Sequence, residues 1–387
     1  MTEYGVVFTG GGTKGAYEVG AWKAIKELKL NVTGITGTSI GAINAALAVQ
    51  DDISKMEEIY RNIDISNVIS IREKINKNKN IFNIVNITKI AKDFYRQKGF
   101  DNAPLREMII NNIDIDKIYK SNVNLGVVSY VFKSKEPIEV FKEDIPKESF
   151  VDYLLASACF PIYKAQDIDG NQLIDGGFYD NMPINMLIRK GYKNIIVIDI
   201  SGIGFRKKII DKNTYVKIIK NSEDLGGTFN FNKQLMENNV KLGYLDTLKA
   251  FNKLQGHMYY FEKKEFSKLL KNYNLDTIYG FEQAAKIYKI DKYRIYKADE
   301  FLELVLNKHN NAKLQYGRIK SKLSPKIIIK EFTRIISMIN KGLGICLFSD
   351  IIKSSTNYNI KMINNLFSDY ITASKAMIEL EYNSRKG

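Results

Sequence analysis

Short runs of apolar, β-branched residues alternate with longer apolar or amphipathic stretches along the first half of the chain. The run GVVFTG predicts a strand, residues 16–28 predict a helix, VTGITG predicts a second strand, and a second helix begins near Ile40. The same alternation continues through VNLGVVSYVF, residues 150–158, QLIDGG, a stretch that ends in IRKGY, and NIIVIDIS. Strands that alternate with helices are typical of a mostly parallel sheet with helices on both faces, so the pattern predicts the α/β class.

Residues 61–100 depart from this alternation because they are rich in Asn, Ile and Lys. Part of the segment has apolar residues at helical spacing, which favours an amphipathic helix packed on the core. The alternative is a lid or a membrane-facing helix over an apolar site. The apolar positions of this pattern are Ile81, Ile84, Val85, Ile87, Ile90, Ala91 and Phe94.

The chain from about Phe205 onward is rich in Lys, Tyr and Asn and contains long amphipathic patterns such as DEFLELVLNKHNNAKL and SPKIIIKEFTRIISMIN. No strong strand signal is found there, so this part is predicted to be mostly helical. We therefore expect two domains. Residues 1–255 form the α/β domain, with 61–100 as a variable lid or pocket segment, and residues 256–387 form a helical domain of unknown role.

Composition narrows the classes of partner. The formal net charge of +15 favours an anionic partner, and since no nucleic-acid motif is found, an anionic membrane surface is expected rather than nucleic acid. Cys159 and Cys346 have neither metal-ligand nor disulfide-framework spacing. Neither a secretory signal nor an uninterrupted apolar span is found, so we expect a cytoplasmic protein that can contact a membrane peripherally. We expect no cofactor and no metal, because clusters of ligand residues are missing.

The stretch GTSIG, residues 37–41, fits the G-x-S-x-G pattern where a predicted strand meets a predicted helix. This is the context of a nucleophile elbow, a tight turn that presents a serine hydroxyl at a helix N-terminus. The alternative is an ordinary turn in which Ser39 caps the helix. The strand-turn-helix context favours Ser39 as a nucleophile.

A glycine-rich loop also lies between the first predicted strand and the first predicted helix. A dinucleotide-binding loop would need an acidic residue at the end of the second strand, where the serine motif lies instead. A phosphate-binding P-loop would need its lysine after the last glycine, and Lys14 precedes it. An oxyanion hole needs only backbone amides beside the elbow, so that function is favoured. The candidate residues are Gly10, Gly11, Gly12, Thr13, Lys14 and Gly15.

A serine nucleophile needs a base, and the chain has just two histidines, His257 and His309. Both lie outside the predicted α/β pattern in segments that resemble helix or surface, so we interpret them as solvated. Asp175 is the better candidate because it ends an apolar run and precedes Gly176 and Gly177. The alternative is an ordinary Asp-Gly turn.

The three motifs, in this order, resemble the patatin-like phospholipase family. That family has a glycine-rich loop near the N-terminus, a G-x-S-x-G elbow shortly afterwards and a downstream D-G-G/A motif. The resemblance covers roughly residues 4–251. Further similar stretches are residues 156–161 (ASACFP), Asn181 with Pro183, and residues 242–246 (LGYLD).

The resemblance implies a three-layer α/β/α sandwich and a Ser-Asp dyad that works without histidine. Ser39 would be the nucleophile and Asp175 the base, and the amides of Gly11, Gly12 and Thr13 or Lys14 would stabilise an oxyanion. The glycines that support these motifs are Gly37, Gly41, Gly176 and Gly177.

The expected function is a lipid acyl hydrolase of the phospholipase A or lysophospholipase type, which forms an acyl-enzyme. One alternative is a non-lipid esterase or thioesterase that uses the same dyad. A second is a ligand-gated effector of this family that its C-terminal domain regulates. A third is a binding protein whose glycine loop holds phosphate and whose serine only caps a helix. The Lys14 side chain could meet a headgroup phosphate or a nearby carboxylate, and both stay open.

Overall fold

The computed structural model describes residues 2–70, 101–160, 163–168, 170–320, 341–354 and 360–384. The helix predicted around residues 81–94 lies outside these residues. The chain folds into two compact units, Met1–Leu248 and Lys249–Gly387. The domain boundary predicted between residues 255 and 256 lies within the second unit.

The first unit is built on an eight-stranded sheet with the strand order β5-β6-β3-β2-β1-β7-β8, and β4 pairs with β3. Its strands are β1 Glu3–Phe8, β2 Asn31–Thr38, β3 Asn124–Val131, β4 Pro137–Phe141, β5 Gln166–Ile168, β6 Asn171–Asp175, β7 Asn194–Asp199 and β8 Tyr215–Lys220. Its helices are α1 Ala16–Glu27, α2 Ile40–Val49, α3 Ile53–Asn62, α4 Ala103–Asn112, α5 Ile115–Lys120, α6 Phe150–Ser157, α7 Ile184–Arg189 and α8 Lys233–Ala250. The strands and helices of the predicted alternation, from GVVFTG to NIIVIDIS, are confirmed.

Helices cover both faces of this sheet, as the alternation along β2 shows. Gly37 lies so close to α2 that a Cβ atom there would overlap the backbone of Gly41. Thr36, which points to the other face, donates its hydroxyl to the carbonyl of Pro183 at the start of α7 (3.1 Å). Because successive strand residues face opposite sides, both surfaces of the sheet are buried. The predicted α/β class, a mostly parallel sheet flanked by helices, is confirmed.

The parallel strands β3, β2, β1, β7 and β8 form one run of the sheet, and β4, β5 and β6 pair in antiparallel fashion at one side. The expectation of no strand signal beyond Phe205 was wrong, because β8 lies there as the edge strand beside β7. Its sequence YVKIIK has lysines at two positions, and its side chains are mostly exposed or half-buried. A strand exposed at a sheet edge lacks the apolar run that marks a central parallel strand.

The second unit contains a small sheet and the remaining helices, so the prediction of a mostly helical region holds for its described part. A cluster of aromatic and aliphatic side chains, including Phe261, Phe281 and Phe301, forms its core. Its strands are β9 Leu254–Gln255, β10 Tyr260–Glu262 and β11 Ile295–Tyr296, and its helices are α9 Lys263–Asn272, α10 Leu275–Ile287, α11 Ala298–Lys320, α12 Lys341–Lys353 and α13 Ile360–Ser384. Among the described residues of the chain, no helix is long and apolar enough to cross a membrane.

Candidate active site

Ser39 lies at the turn between β2 and α2, and its backbone has φ 58° and ψ −130°. A positive φ is uncommon for a residue with a side chain. Such a strained conformation persists only where contacts with the surrounding structure hold it in place. A Cβ atom at Gly41 would overlap the carbonyl of Phe8, so this turn packs directly against the end of β1. The Ser39 side chain makes no capping hydrogen bond to α2. The elbow therefore leaves the hydroxyl available to another partner.

That partner is Asp175. The Ser39 Oγ donates to Asp175 Oδ2 at 2.7 Å, and the Gly177 amide donates to Asp175 Oδ1, also at 2.7 Å. Asp175 is only 4% exposed. Burial raises the pKa of Asp175 to about 6, although the hydrogen bonds from Ser39 and Gly177 oppose the rise. A carboxylate with this pKa is ionised at neutral pH and still basic enough to accept a proton.

The sheet brings these two residues together although 136 positions separate them in sequence. Thr38 at the end of β2 pairs with Val128 of β3, and Ser129 of β3 pairs with Asp175 at the end of β6. A Cβ atom at Gly176 would overlap the Val128 carbonyl, so the turn after Asp175 crosses β3 at close range. The serine and the aspartate therefore meet across the carboxyl end of one shared strand.

The glycine loop ends in a turn of 3₁₀ helix, Gly12–Gly15, before α1. The Gly10 amide donates to Asn181 Oδ1 (3.1 Å), and the Thr13 amide donates to the carbonyl of Thr228 (2.8 Å). Among the described residues, the amides of Gly11 and Gly12 have no hydrogen-bond acceptor. Gly12 has φ 61°, a conformation that favours glycine. Lys14 and Gly15 lie inside the 3₁₀ turn, where amides donate to the carbonyl three residues earlier. Of the predicted oxyanion residues, Gly11 and Gly12 are thus the ones with available amides.

The two other predicted loop residues make structural contacts. The Lys14 ammonium donates to the carbonyl of Ser201 (3.2 Å). The Gly15 carbonyl accepts a hydrogen bond from Asn44 Nδ2 (3.1 Å). These contacts hold the loop to the segment that follows β7 and to α2.

Both histidines belong to the second unit, so the unit that contains Ser39 has none. His257 is exposed, but the expectation that His309 is solvated was wrong. The His309 ring contacts the Tyr288 hydroxyl (2.6 Å) and Glu381 (3.2 Å). Burial lowers the pKa of His309 to about 4, against the opposing effect of Glu381. A histidine on a polar, amphipathic helix can still face the core, which its neighbours in sequence do not reveal.

Residues 6–188 match the family model described as patatin-like phospholipase. These residues belong to the patatin-like phospholipase family. The chain is also 24% identical over 290 residues to the lysophospholipase NTE1 of Eremothecium gossypii, a match that covers 71% of this chain and 18% of the relative. This chain thus spans less than a fifth of that relative's length.

Among solved structures, the chain is similar to VipD from Legionella pneumophila, with 16% identity, a TM-score of 0.43 and coverage of 100% of this chain and 88% of that chain. It is also similar to the type III effector ExoU, with 12% identity, a TM-score of 0.28 and coverage of 97% and 77%. At these values the likeness adds nothing to the interpretation of the site.

An apolar pocket of about 600 Å³, including its open mouth, adjoins Ser39 in the patatin-like unit. Gly12 and Thr13 of the glycine loop line it beside the serine. Its apolar wall comes from α2, α3, α4 and three loops, and consists of Ile40, Ile43, Tyr60, Ile63, Val68, Leu105, Met108, Ala158, Phe160, Tyr163, Phe229 and Phe231. Such a wall suits a hydrocarbon chain better than a charged ligand. Among the described residues, no group of three or more His, Cys, Asp or Glu side chains could hold a metal ion.

Sequence reasoning missed how two residues of the patatin-like unit support the site. Asn181 holds the glycine loop through two side-chain hydrogen bonds. Its Oδ1 accepts from the Gly10 N–H, and its Nδ2 donates to the Gly10 carbonyl, both at 3.1 Å. Ser157, which is fully buried, accepts the Ser39 N–H on its Oγ (3.0 Å). Both lie in stretches noted for family resemblance, but nothing in the sequence indicated these contacts.

Glu18 and its partners also escaped sequence reasoning. This carboxyl is fully buried in α1 and accepts a hydrogen bond from Asn44 Nδ2 (2.8 Å). The Oδ1 of Asn44 in turn accepts from the Tyr60 hydroxyl (3.1 Å). Burial raises the pKa of Glu18 well above its usual range, although Asn44 opposes the rise. A glutamate in the otherwise apolar stretch AYEVGAW was the available signal. The network ties α1 and α2 to Tyr60, which lines the pocket.

We expect Ser157→Ala to lower kcat by about tenfold with little change in KM, because the elbow loses the acceptor that holds the Ser39 amide. Steady-state kinetics on a chromogenic ester would measure this. Ser129→Ala is the matched control, since Ser129 is also buried but its Oγ has no hydrogen-bond partner among the described residues. Equal activity of the two variants would show that Ser157 does not position the elbow.

Proposed function

We propose that this protein is a lipid acyl hydrolase that cleaves fatty-acyl esters of phospholipids or lysophospholipids through a dyad of Ser39 and Asp175. The single observation that carries the proposal is the 2.7 Å hydrogen bond from Ser39 Oγ to Asp175 Oδ2. This hydrogen bond lies at the strained turn of Ser39, which also lines an apolar pocket. Membership of residues 6–188 in the patatin-like phospholipase family supports the substrate class.

In the first step, Ser39 Oγ bonds to the ester carbonyl carbon while its proton passes to Asp175 Oδ2. The carbonyl electron pair moves to the oxygen, and the amides of Gly11 and Gly12 donate hydrogen bonds to this oxyanion. When the carbonyl re-forms, the alcohol leaves with the proton from Asp175. Water then attacks the acyl-enzyme, Asp175 accepts a proton from that water, and the fatty acid leaves as Ser39 regains its proton.

The pocket beside Ser39 supports an acyl chain as the group bound there. Two rings, Phe160 and Phe229, pack edge to face at 5.7 Å between centroids and form part of its wall. Each methylene removed from water contributes about 0.8 kcal/mol, so longer chains gain binding energy until the pocket is full. A non-lipid esterase would lack this dependence on chain length.

The proposal is tested by incubating the full chain with a phospholipid and a lysophospholipid and measuring the fatty acid released. A fluorophosphonate should abolish the activity, and mass mapping of the modified peptide should place the adduct on Ser39. Activity should rise with the acyl-chain length of a series of soluble esters. Release of no fatty acid together with no adduct on Ser39 would refute the proposal, and a flat chain-length series would favour the non-lipid esterase.

The pH dependence of kcat/KM follows from the pKa of Asp175, which burial raises to about 6. As the base, Asp175 must be ionised in the free enzyme, so kcat/KM should rise about tenfold per pH unit below 6 and level off above about pH 7. A pH series on a soluble, uncharged ester would measure the profile. A profile flat from about pH 5 to 8 would contradict Asp175 as the base.

A further inference from the structure

Residues 203–210 follow β7 and expose large apolar side chains on the surface of the first unit. Ile203 is 82% exposed and Phe205 is 66% exposed. Ile209 and Ile210 are exposed as well. Scattered exposed apolar residues are ordinary, but several within one short segment mark an interaction surface.

The backbone of this segment is fastened to the candidate catalytic loops. The backbone N–H of Phe205 donates to the Gly177 carbonyl (2.9 Å), and the Phe205 carbonyl accepts from the backbone N–H of Asn181 (2.6 Å). Gly177 also donates to Asp175, and Asn181 clamps Gly10. Phe178, the residue after Gly177, is 40% exposed. These apolar side chains therefore lie at the rim of the site on a backbone that the site itself holds in place.

Basic side chains accompany the apolar ones. Arg206, Lys207 and Lys208 are consecutive, and residues 200–210 contain no acidic residue. The Arg206 guanidinium makes two hydrogen bonds to Asp199 (2.9 and 3.0 Å). The Lys207 ammonium lies 4.0 Å from the centroid of the Tyr179 ring. Arg206 and Lys207 are thus held in place next to the exposed apolar residues of the segment, and Lys208 is exposed.

We propose that this rim, formed by Phe178 and residues 203–208, seats the protein on an anionic lipid bilayer. Ile203 and Phe205 enter the acyl boundary while Lys207 and Lys208 meet lipid phosphates. A second copy of the chain fits the surface less well. A twofold contact would bring the same cationic patch of each copy together, and like charges repel. The inference rests on the proposed function for its purpose, since the rim would bring the site to its lipid substrate.

Vesicle binding tests the inference without turnover. Full-length Ser39→Ala protein is sedimented with phosphatidylcholine vesicles and with vesicles that also contain phosphatidylglycerol. We expect binding to the anionic vesicles that weakens as salt rises, because salt screens exposed charges. Ile203→Ser with Phe205→Ser should lower the partition coefficient by about tenfold or more. Lys207→Gln with Lys208→Gln should lower it by about tenfold and remove part of the salt dependence.

Ile110→Ser is the matched control, because Ile110 is 55% exposed on the same unit. Ile110 lies in α4, two residues before Asn112. The Asn112 carbonyl accepts a hydrogen bond from Gln50, which follows the C-terminal end of α2, whereas Ser39 precedes the N-terminal end of that helix. This variant should bind like the parent. Equal binding by all variants, or equal binding to neutral and anionic vesicles, would overturn the inference. A concentration-dependent dimer that Ile203→Ser and Phe205→Ser abolish would assign the rim to a second copy instead.

A soluble short-chain ester separates this inference from the proposed function. For this assay the rim variants are made with Ser39 intact. If they hydrolyse the ester like wild type but wild type binds no vesicles, the rim proposal fails and the dyad stands. If wild type binds anionic vesicles but hydrolyses no ester, the dyad fails and the rim stands. Circular dichroism and thermal unfolding of each variant establish that it is folded.

Discussion

Replacing Asp175 by Asn should lower turnover of an ester substrate by about 10³–10⁴-fold. The amide can still accept the Gly177 N–H and still contact Ser39 Oγ, so the geometry of the turn is preserved. What is lost is the basic oxygen that takes the serine proton in the proposed mechanism. Replacing Ser39 by Ala removes the nucleophile itself and should reduce turnover to background. Steady-state kinetics, with the rate of fluorophosphonate labelling as a second readout, would measure both effects.

Asp180→Asn is the matched control for this experiment. Asp180 is also buried, and burial raises its pKa to about 6 as well. Its carboxylate accepts the Met182 amide (3.0 Å) and the Lys207 amide (3.4 Å), with no recorded contact to Ser39. We expect Asp180→Asn to retain most of the activity. Comparable losses in both aspartate variants would indicate that removing any buried carboxylate disturbs the site, and would contradict a specific role for Asp175.

Stability measurements distinguish a catalytic loss from misfolding. The pKa of Asp175 is raised in the folded protein from 3.8 to about 6, so the folded state binds the proton more tightly than the unfolded state. Ionisation of Asp175 therefore destabilises the fold above about pH 6, and this penalty disappears as the pH falls below about 4. Asp175→Asn should then melt at the same temperature as wild type or higher at neutral pH. A marked drop in melting temperature would mean that the variant loses activity because its fold is disturbed, and not because the base is missing.

The order of elements and the motif residues were within reach of the sequence, because both depend on local patterns. Central parallel strands such as β1 and β7 are apolar runs, and each is followed by turn residues. The elbow was recognisable because its glycines bracket Ser39 between a strand and a helix. β8 escaped prediction because an exposed edge strand carries lysines where a central strand carries apolar side chains.

The features that depend on distant partners could not be predicted. Whether a glycine-loop amide is available depends on Asn181, which lies 171 positions from Gly10, and on Thr228, which accepts from Thr13. The burial of His309 likewise depends on Glu381, 72 positions away. No local window contains both members of such a pair. The sequence therefore indicated the residues of the candidate site, but the selection among six candidate oxyanion residues required the structure.

Gly12→Ala is expected to lower kcat by about 10²–10³-fold, because it displaces one of the two amides that remain available in the glycine loop. Gly12 has φ 61°, and a Cβ atom there would overlap the carbonyl oxygen of Thr228. That same oxygen accepts the Thr13 amide at 2.8 Å, so relief of the clash must shift the loop backbone that carries the Gly12 amide. The loss should fall on kcat rather than KM, since an oxyanion forms only as the reaction proceeds.

Gly191→Ala separates this effect from the cost of the backbone conformation. Gly191 has φ 95°, but a Cβ atom there would meet nothing within 4 Å. The control should lose about 1 kcal/mol of stability, as expected for a side chain at positive φ, and retain its activity. If Gly12→Ala destabilises the protein as Gly191→Ala does but leaves kcat unchanged, the Gly12 amide does not act on the oxyanion. Gly11 would then be left as the remaining loop donor, and the proposed hole would need a second amide from elsewhere, such as the residue that follows Ser39 in the elbow.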